Sequence, residues 1–112
     1  MIEKIILDYL TTELSPVPVY MEVPANPTAP FVVVDKTGSS EKNHIKSATI
    51  ALQSVADSLY EAASLNETVK EKMDAAISLD AICRSKLNSD YNFTDTKTKR
   101  YRYQAVYNLT HY

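Results

Sequence analysis

Glycine and cysteine are almost missing from this sequence, which has one of each, Gly38 and Cys83, in 112 residues. Phosphate-binding loops of the P-loop and dinucleotide types need several closely spaced glycines, so this chain cannot build one. A single cysteine excludes an intramolecular disulfide. We therefore expect a reducing compartment, in which Cys83 acts as a small buried hydrophobe.

Histidine is also scarce, because His44 and His111 are the only two. Neither has the short spacing to another ligand residue that is typical of metal sites. A nucleophilic Cys83 would need one of them close by as a base. We expect both histidines to be solvated side chains, and we predict no catalytic residue, no metal site, no cofactor and no enzymatic activity.

Strong net charge and long hydrophobic runs are missing as well. The formal net charge is -2, with 45% hydrophobic and 23% charged residues, which is ordinary for a globular protein. So small a charge gives no general attraction to nucleic acid or to acidic membranes. No apolar run approaches the roughly 20 residues of a membrane span, and Glu3 and Asp8 argue against a signal peptide. We expect a single domain over residues 1–112, with no membrane partner and no specific nucleic-acid binding.

The clearest pattern that is present is an alternation over about residues 98–111. One side carries Tyr101, Tyr103, Ala105, Tyr107 and Leu109. The other side carries Arg100, Arg102, Gln104, Asn108 and Thr110, with Val106 as its one apolar member. Successive side chains of a strand point to opposite faces, so this period of two predicts a long strand with one packed face and one wet face.

Two helices and several strands precede that segment. Apolar residues at helical spacing predict helices over 2–14 and 57–78, and Ser58 followed by Glu61 has the spacing of a capping box. Period-two segments predict the other strands, at about 31–36, 45–55 and 80–93, with a short one within 17–23. The order α-β-β-β-α-β-β predicts an α+β fold, with a mainly antiparallel sheet of about five strands and two helices packed on one face.

Two connecting segments have distinctive compositions. All five prolines lie in a connector over 16–30, and Pro18 and Pro24 limit the short strand to a sheet edge or to bulged ends. Seven polar residues follow the strand 31–36 and predict a projecting hairpin loop, longer than most. These candidate docking residues are Thr37, Gly38, Ser39, Ser40, Glu41, Lys42 and Asn43. A plain solvated hairpin tip is an equal alternative for them.

The basic residues near the C-terminus alternate with tyrosines, and this arrangement allows two interpretations. A platform for single-stranded nucleic acid would combine both residue types on one face. In a strand they lie on opposite faces, so a solvated polar face is favoured over such a platform. Such a polar face is compatible with sheet-to-sheet contact between subunits, and Arg100, Arg102 and Gln104 are the candidate residues for that contact.

Taken together, several runs resemble the small tail-completion or tail-terminator proteins of long-tailed bacteriophages and prophages, especially those of Firmicutes. The first of these runs is the opening helix Ile2–Leu14, which is followed by Pro18-Val19-Tyr20. The others are Phe31–Val34, Ala48–Ser54, Ala56–Ala63 and the terminal strand around Tyr101–Tyr107. The resemblance covers nearly the full length of the chain.

The resemblance implies a structural virion protein that is made in the cytoplasm of the bacterial host. Such proteins form a homo-oligomeric ring, commonly of six copies, that caps the finished tail tube and joins it to the head-side connector protein. DNA passes through the ring, which has no active site. The alternatives are a head-closure or minor capsid component of the connector, and a monomeric intracellular protein-binding domain.

Overall fold

A computed structural model describes residues 2–22, 30–42, 45–79, 82–94 and 101–111. Its elements are α1 (Ile2–Glu13), β1 (Val19–Tyr20), β2 (Phe31–Lys42), β3 (Ile45–Ala56), α2 (Leu59–Asp74) with a 3-10 turn (Ala75–Ser78), β4 (Ile82–Asn92) and β5 (Tyr101–His111). This order confirms the predicted α-β-β-β-α-β-β arrangement and the α+β class. No helix in these ranges is long and apolar enough to cross a membrane.

The five strands form one sheet in the order β1-β2-β3-β5-β4. The pair β1–β2 is parallel, and the other three neighbouring pairs are antiparallel. β1 lies at the edge of the sheet, as Pro18 predicts, because proline has no backbone N–H to donate. It is only two residues long, Val19 and Tyr20, and so much shorter than the segment 17–23.

Both helices pack on the same face of the sheet, which confirms that part of the prediction. Ile6 and Leu10 of α1 and Val69 and Met73 of α2 are fully buried. They share one core with alternate residues of three strands: Val32, Val34, Ala48, Ile50, Leu52, Ala105, Tyr107 and Leu109. Since alternate strand residues point to one side, the packed side of β5 is the one that its sequence predicts.

The start of α2 is fixed by a side-chain cap. Ser58 has extended backbone geometry, and its Oγ accepts a hydrogen bond from the backbone N–H of Glu61 at 3.1 Å. One of the otherwise unpaired N–H groups of the first turn is thereby satisfied. The α-helix therefore begins at Leu59, two residues after the predicted start.

We expect Ser58→Ala to lower the free energy of unfolding by about 0.5–2 kcal/mol, because alanine leaves that N–H without its acceptor. Ser58→Asp is the matched control, since aspartate caps a helix about as well as serine. Urea unfolding followed by circular dichroism measures both. An alanine variant as stable as the wild type would show that the cap contributes nothing.

The hairpin of β2 and β3 extends well beyond the predicted strand ends, and the loop prediction is wrong. Residues 37–42 belong to β2, where Gly38 pairs with Thr49 and Lys42 pairs with Ile45 after a bulge near residue 37. Their polarity does not reveal the strand, because pairing needs only backbone groups. The side chains of residues 37–41 and 45–47 are exposed in this part of the hairpin. Asn43 lies outside the described residues. We call the paired segments 37–42 and 45–49 the arm.

The side chains of β4 do not alternate as the sequence predicts, because the strand has two bulges. The alternation of apolar and polar residues predicts Leu87, Tyr91 and Phe93 on the same side of the strand. The register shifts between Ile82 and Arg84 and again between Leu87 and Ser89. Leu87 therefore lies opposite buried Tyr107, on the helix side, whereas Tyr91 pairs with Gln104 on the other side. A bulge adds one residue to one strand and so exchanges the two faces beyond it.

Candidate functional site

The sheet face opposite the helices, here called the bare face, has a mixed apolar and polar surface. Residues of β2, β3, β5 and the end of β4 form it: Phe31, Val33, Ala51, Gln53, Val55, Arg102, Gln104, Val106, Tyr91 and Phe93. No helix of the described part of the chain packs there. This face is the candidate interaction surface.

The part of the bare face that lies on β2 and at the end of β3 is buried within the chain. Phe31, Val33 and Val55 are buried and form a second, smaller apolar cluster. The ring of Tyr20 contacts Phe31 edge-on, with 5.9 Å between the ring centroids. The exposed apolar part of the face therefore lies at the opposite edge of the sheet, at the end of β4.

At that side two aromatic residues remain exposed. Tyr91 and Phe93 are 41% and 39% exposed, and their rings meet edge-on at 5.9 Å. The guanidinium of Arg102 lies over the ring of Phe93, 4.6 Å from its centroid, and its Nε donates to the Phe93 carbonyl at 2.7 Å. These contacts hold the three side chains in place before any partner binds.

An amide ladder crosses the middle of the bare face. Gln53 Nε2 donates to Gln104 Oε1 at 3.1 Å, and Gln104 Nε2 donates to the hydroxyl of Tyr91. The ladder joins β3, β5 and β4. Gln104 is consequently half-buried and fixed in orientation by its neighbours.

The structure describes two of the three predicted contact residues. Arg102 and Gln104 lie on the bare face, and both are half-buried instead of fully solvated. Arg100 lies outside the described residues. Tyr91 and Phe93 were not among the predicted residues, because the bulges that turn them to this face leave no mark in the sequence pattern.

A polar cluster on the helix side joins α2 to β4. Asn66 is only 1% exposed, and its Nδ2 donates to Asp90 Oδ1 at 2.7 Å. Lys70 Nζ contacts Asp90 Oδ2 at 2.5 Å and Glu67 Oε1 at 2.8 Å. The helical pattern puts Asn66 on the outer side of α2, and that placement is wrong: the side chain is buried, and its amide N–H donates to Asp90, whose side chain is partly exposed.

Tyr107 extends this cluster to β5. Its hydroxyl lies 3.1 Å from the Lys70 carbonyl and 3.0 Å from Asp74 Oδ1, and it donates its one hydrogen to either acceptor. Burial, followed by the hydrogen bond to Asp74, raises the pKa of Tyr107 well above its ordinary value. The hydrogen bond to Asp90, followed by that to Glu67, raises the pKa of Lys70. The cluster attaches α2 to β4 and β5 through these hydrogen bonds.

An open cavity of about 330 Å³ separates the start of α1 from the arm. Lys36 Nζ lies 3.5 Å from Glu3 Oε1 in its wall, and His111 is another lining residue. His111 is 8% exposed, so the expectation of a solvated side chain is wrong. It lies on the same side of β5 as the packed residues, and it pairs with Lys46 of β3 and Ile82 of β4. His44 and the side chain of Cys83 are outside what the structure describes.

The described residues include no group of three or more histidine, cysteine, aspartate or glutamate side chains that could hold a metal ion. No protein-family model matches the chain, and its sequence matches no curated protein. The bare face and the arm are the two surfaces of the described residues that are candidates for an interaction.

Proposed function

We propose that this chain is a structural virion protein of a long-tailed phage or prophage. In this proposal it is a tail-terminator or tail-completion subunit, which forms a ring between the tail tube and the head-side connector. The observation that supports the proposal most is the one-sided sheet, with helices on one face and an ordered bare face on the other. The phage assignment itself is supported by the resemblance of the sequence runs.

The composition of the bare face suits contact between subunits. Aromatic residues and arginine are enriched in protein interfaces, and Tyr91, Phe93 and Arg102 lie together here. Ordering a side chain on binding costs about 0.5–1.5 kcal/mol. The stacked Arg102 and the amide ladder are ordered beforehand, which lowers that cost.

The arm provides a second feature that assembly can use. The candidate docking residues Thr37–Lys42 lie along it as part of β2. β1 pairs only with Val32 and Val33, so among the described residues the outer backbone edge of this part of β2 has no neighbouring strand. In the proposal, this projecting segment meets the tail tube or the connector protein.

The proposal includes the absence of enzymatic activity. A general base at neutral pH needs a pKa close to 7. In the polar cluster of the helix side, the pKa values of Lys70 and Tyr107 are displaced upward, away from that range. The carboxylates of that cluster serve as partners for Lys70, Asn66 and Tyr107.

Val106→Lys tests the role of the bare face, because Val106 is half-buried at the centre of this face in β5. A lysine there places a charge in the proposed contact. We expect the variant to form no ring, either by itself or when tail tubes are present. Thr68→Lys, on the exposed side of α2, is the matched control and should assemble like the wild type. Size-exclusion chromatography with light scattering measures assembly, and circular dichroism verifies the fold.

The outcomes separate the proposal from its alternatives. Equal assembly of the two lysine variants would exclude the bare face as the subunit contact. Binding to a head-side connector without binding to tail tubes would indicate a head-closure or minor capsid component. A wild-type chain that stays monomeric with both partners present would contradict the proposal and favour a monomeric binding domain.

A further inference from the structure

Two aromatic rings and an arginine lie together on the bare face, where flat ligands could stack on them. Tyr91 and Phe93 are both about two-fifths exposed. The guanidinium of Arg102 lies over the Phe93 ring and adds a flat cationic surface beside them. Nucleic-acid bases stack on aromatic side chains and on guanidinium planes. These three side chains can therefore hold unpaired bases.

Two further cations lie on the bare face, farther along β4. Arg84 pairs with Thr110, and Lys86 pairs with Asn108. Since directly paired residues have their side chains on the same face of a sheet, both cations share the face of Arg102. Both are exposed, and neither forms an ion pair with a described residue. Their charges are therefore available to phosphate groups.

Carboxylates are absent from this part of the bare face. Among the described residues of β3, β5 and β4, no aspartate or glutamate side chain lies on that face. Asp90 of β4 pairs with Ala105 and so lies on the helix side. Asp35 of β2 does lie on the bare face, two strand spacings or about 10 Å from β5. A chain with a net charge of -2 therefore has a locally positive surface.

The bulges of β4 create a combination of residues that the alternation of β5 does not contain. In β5 the basic residues and the tyrosines alternate, and so they lie on opposite faces. The register shifts of β4 bring Tyr91 and Phe93 to the face that carries Arg102. Aromatic and basic side chains thus share one face, which is what a platform for single-stranded nucleic acid needs.

We propose that the bare face binds single-stranded nucleic acid without sequence preference. Bases stack on Tyr91, Phe93 and Arg102. Lys86 and Arg84 contact phosphates farther along β4. From the level of Arg102 to that of Arg84 the sheet covers eight residue steps of β5, roughly 27 Å, which accommodates several nucleotides. A double helix keeps its bases paired, and an acidic protein surface has none, so an unpaired strand is the ligand that uses both the rings and the cations.

This inference goes beyond the proposed function, because it concerns the chain before assembly. In the proposed ring, a neighbouring subunit covers the same face. The nucleic acid and the neighbouring subunit therefore compete, and a saturating oligonucleotide should inhibit ring formation.

Fluorescence anisotropy with a labelled oligothymidine tests the platform. The probe has about 12 nucleotides, within the site sizes of roughly 4–16 nucleotides that single-strand-binding folds cover. We expect the wild-type chain to bind it with a Kd of about 1–100 μM in low salt, and to bind a duplex of the same length more weakly. No saturable binding, or equally tight binding of the duplex or of polyglutamate, would overturn the proposal.

Tyr91→Leu tests the stacking. It should weaken binding roughly 5- to 100-fold, because the loss of one stacked base has an effect of that size. Tyr60→Leu is the matched control, since Tyr60 is an exposed tyrosine at the start of α2, on the helix side of the sheet. Circular dichroism verifies the fold of both variants. Equal affinities of the two would show that no base stacks on Tyr91 and would overturn the platform.

Lys86→Gln tests the phosphate contact. It should reduce the slope of log affinity against log salt concentration by about 0.7, the value for one phosphate contact on a single strand. Lys4→Gln removes the same charge from an exposed position of α1 and should leave the slope unchanged. Equal changes in both variants would mean that binding follows the net charge of the chain, which would overturn the assignment to the bare face.

The two proposals fail in different ways. Oligonucleotide binding by a chain that forms no ring, even with tail tubes and a connector present, would contradict the proposed function and support the platform. Ring formation by a chain that does not bind the oligonucleotide would do the opposite. Ring formation that Val106→Lys abolishes but a saturating oligonucleotide leaves unchanged would place the bound strand away from the bare face and overturn the inference.

Discussion

Replacing Ile50 with alanine is expected to lower the free energy of unfolding by about 2–5 kcal/mol, the usual range for such a truncation in a core. Ile50 is fully buried at the centre of β3, in the core between the sheet and both helices, opposite Tyr107. The substitution removes apolar contacts and leaves a cavity that the surrounding strands cannot fully close. A loss of this size is a large share of the stability of a small domain.

Ile45→Ala is the matched control, since it is the same change in the same strand. Ile45 is half exposed at the start of β3, so its truncation should cost less than about 1 kcal/mol. Guanidinium unfolding of both variants gives the comparison. The slope of the unfolding free energy against denaturant concentration should be the same for both. Equal losses would mean that Ile45 is packed as tightly as Ile50, contrary to its exposure.

The second large effect is a loss of stability in alkaline solution. Tyrosine in the unfolded chain titrates near pH 10, whereas the pKa of Tyr107 in the folded protein lies higher, first because it is buried and then because Asp74 is close. Above pH 10 the unfolded state therefore binds fewer protons than the folded state. The free energy of unfolding should fall as the pH rises, by up to about 1.4 kcal/mol per pH unit from this one group.

Two further groups act in the same direction. The pKa of Lys70 is raised by its hydrogen bonds to Asp90 and Glu67, and the pKa of Tyr9 is raised by burial and then by Glu13. The stability that the raised pKa of Lys70 provides is complete below the pKa of an unfolded lysine and is lost as the pH rises through the folded value.

Tyr107→Phe isolates the contribution of Tyr107. At neutral pH we expect this variant to be less stable than the wild type by about 0.5–1.5 kcal/mol, because it lacks the hydroxyl that bonds to Asp74 or the Lys70 carbonyl. Above pH 10 the difference should shrink and then reverse, since phenylalanine has no proton to lose. Urea unfolding from neutral pH to pH 12 measures it, with the exposed Tyr60→Phe as control. A constant difference at every pH would contradict the assignment.

The residues that join α2 to the sheet are different from those on the candidate interaction surfaces. Tyr107, Lys70, Asn66 and Asp90 attach α2 to the sheet on the helix side. The bare face and the exposed residues of the arm take no part in those contacts. Substitutions in the first group should therefore act through unfolding, and those in the second through assembly, so that measuring both quantities distinguishes the two roles.

Part of the candidate site is predictable from the sequence. The alternation of β5 correctly places Arg102 and Gln104 opposite the packed side chains, because strand geometry alone decides which side each residue takes. Tyr91 and Phe93 are not predictable, since the bulges of β4 exist only through its pairing with β5. The apolar pocket lined by Val17, Pro30, Tyr60 and Leu65 is not predictable either, because its residues come from separate segments of the chain.

The sequence by itself determined the order of helices and strands, the buried stripe of α1, the cap at Ser58 and the packed side of β5. All of these depend on contacts between near neighbours or on the repeat of a helix or strand. Only the tertiary structure decided the length of the arm, the faces of β4 and the burial of Asn66 and His111. Strands pair through backbone groups whatever the polarity of their side chains. A polar side chain such as Asn66 can be buried where a distant residue, here Asp90, accepts from its N–H group.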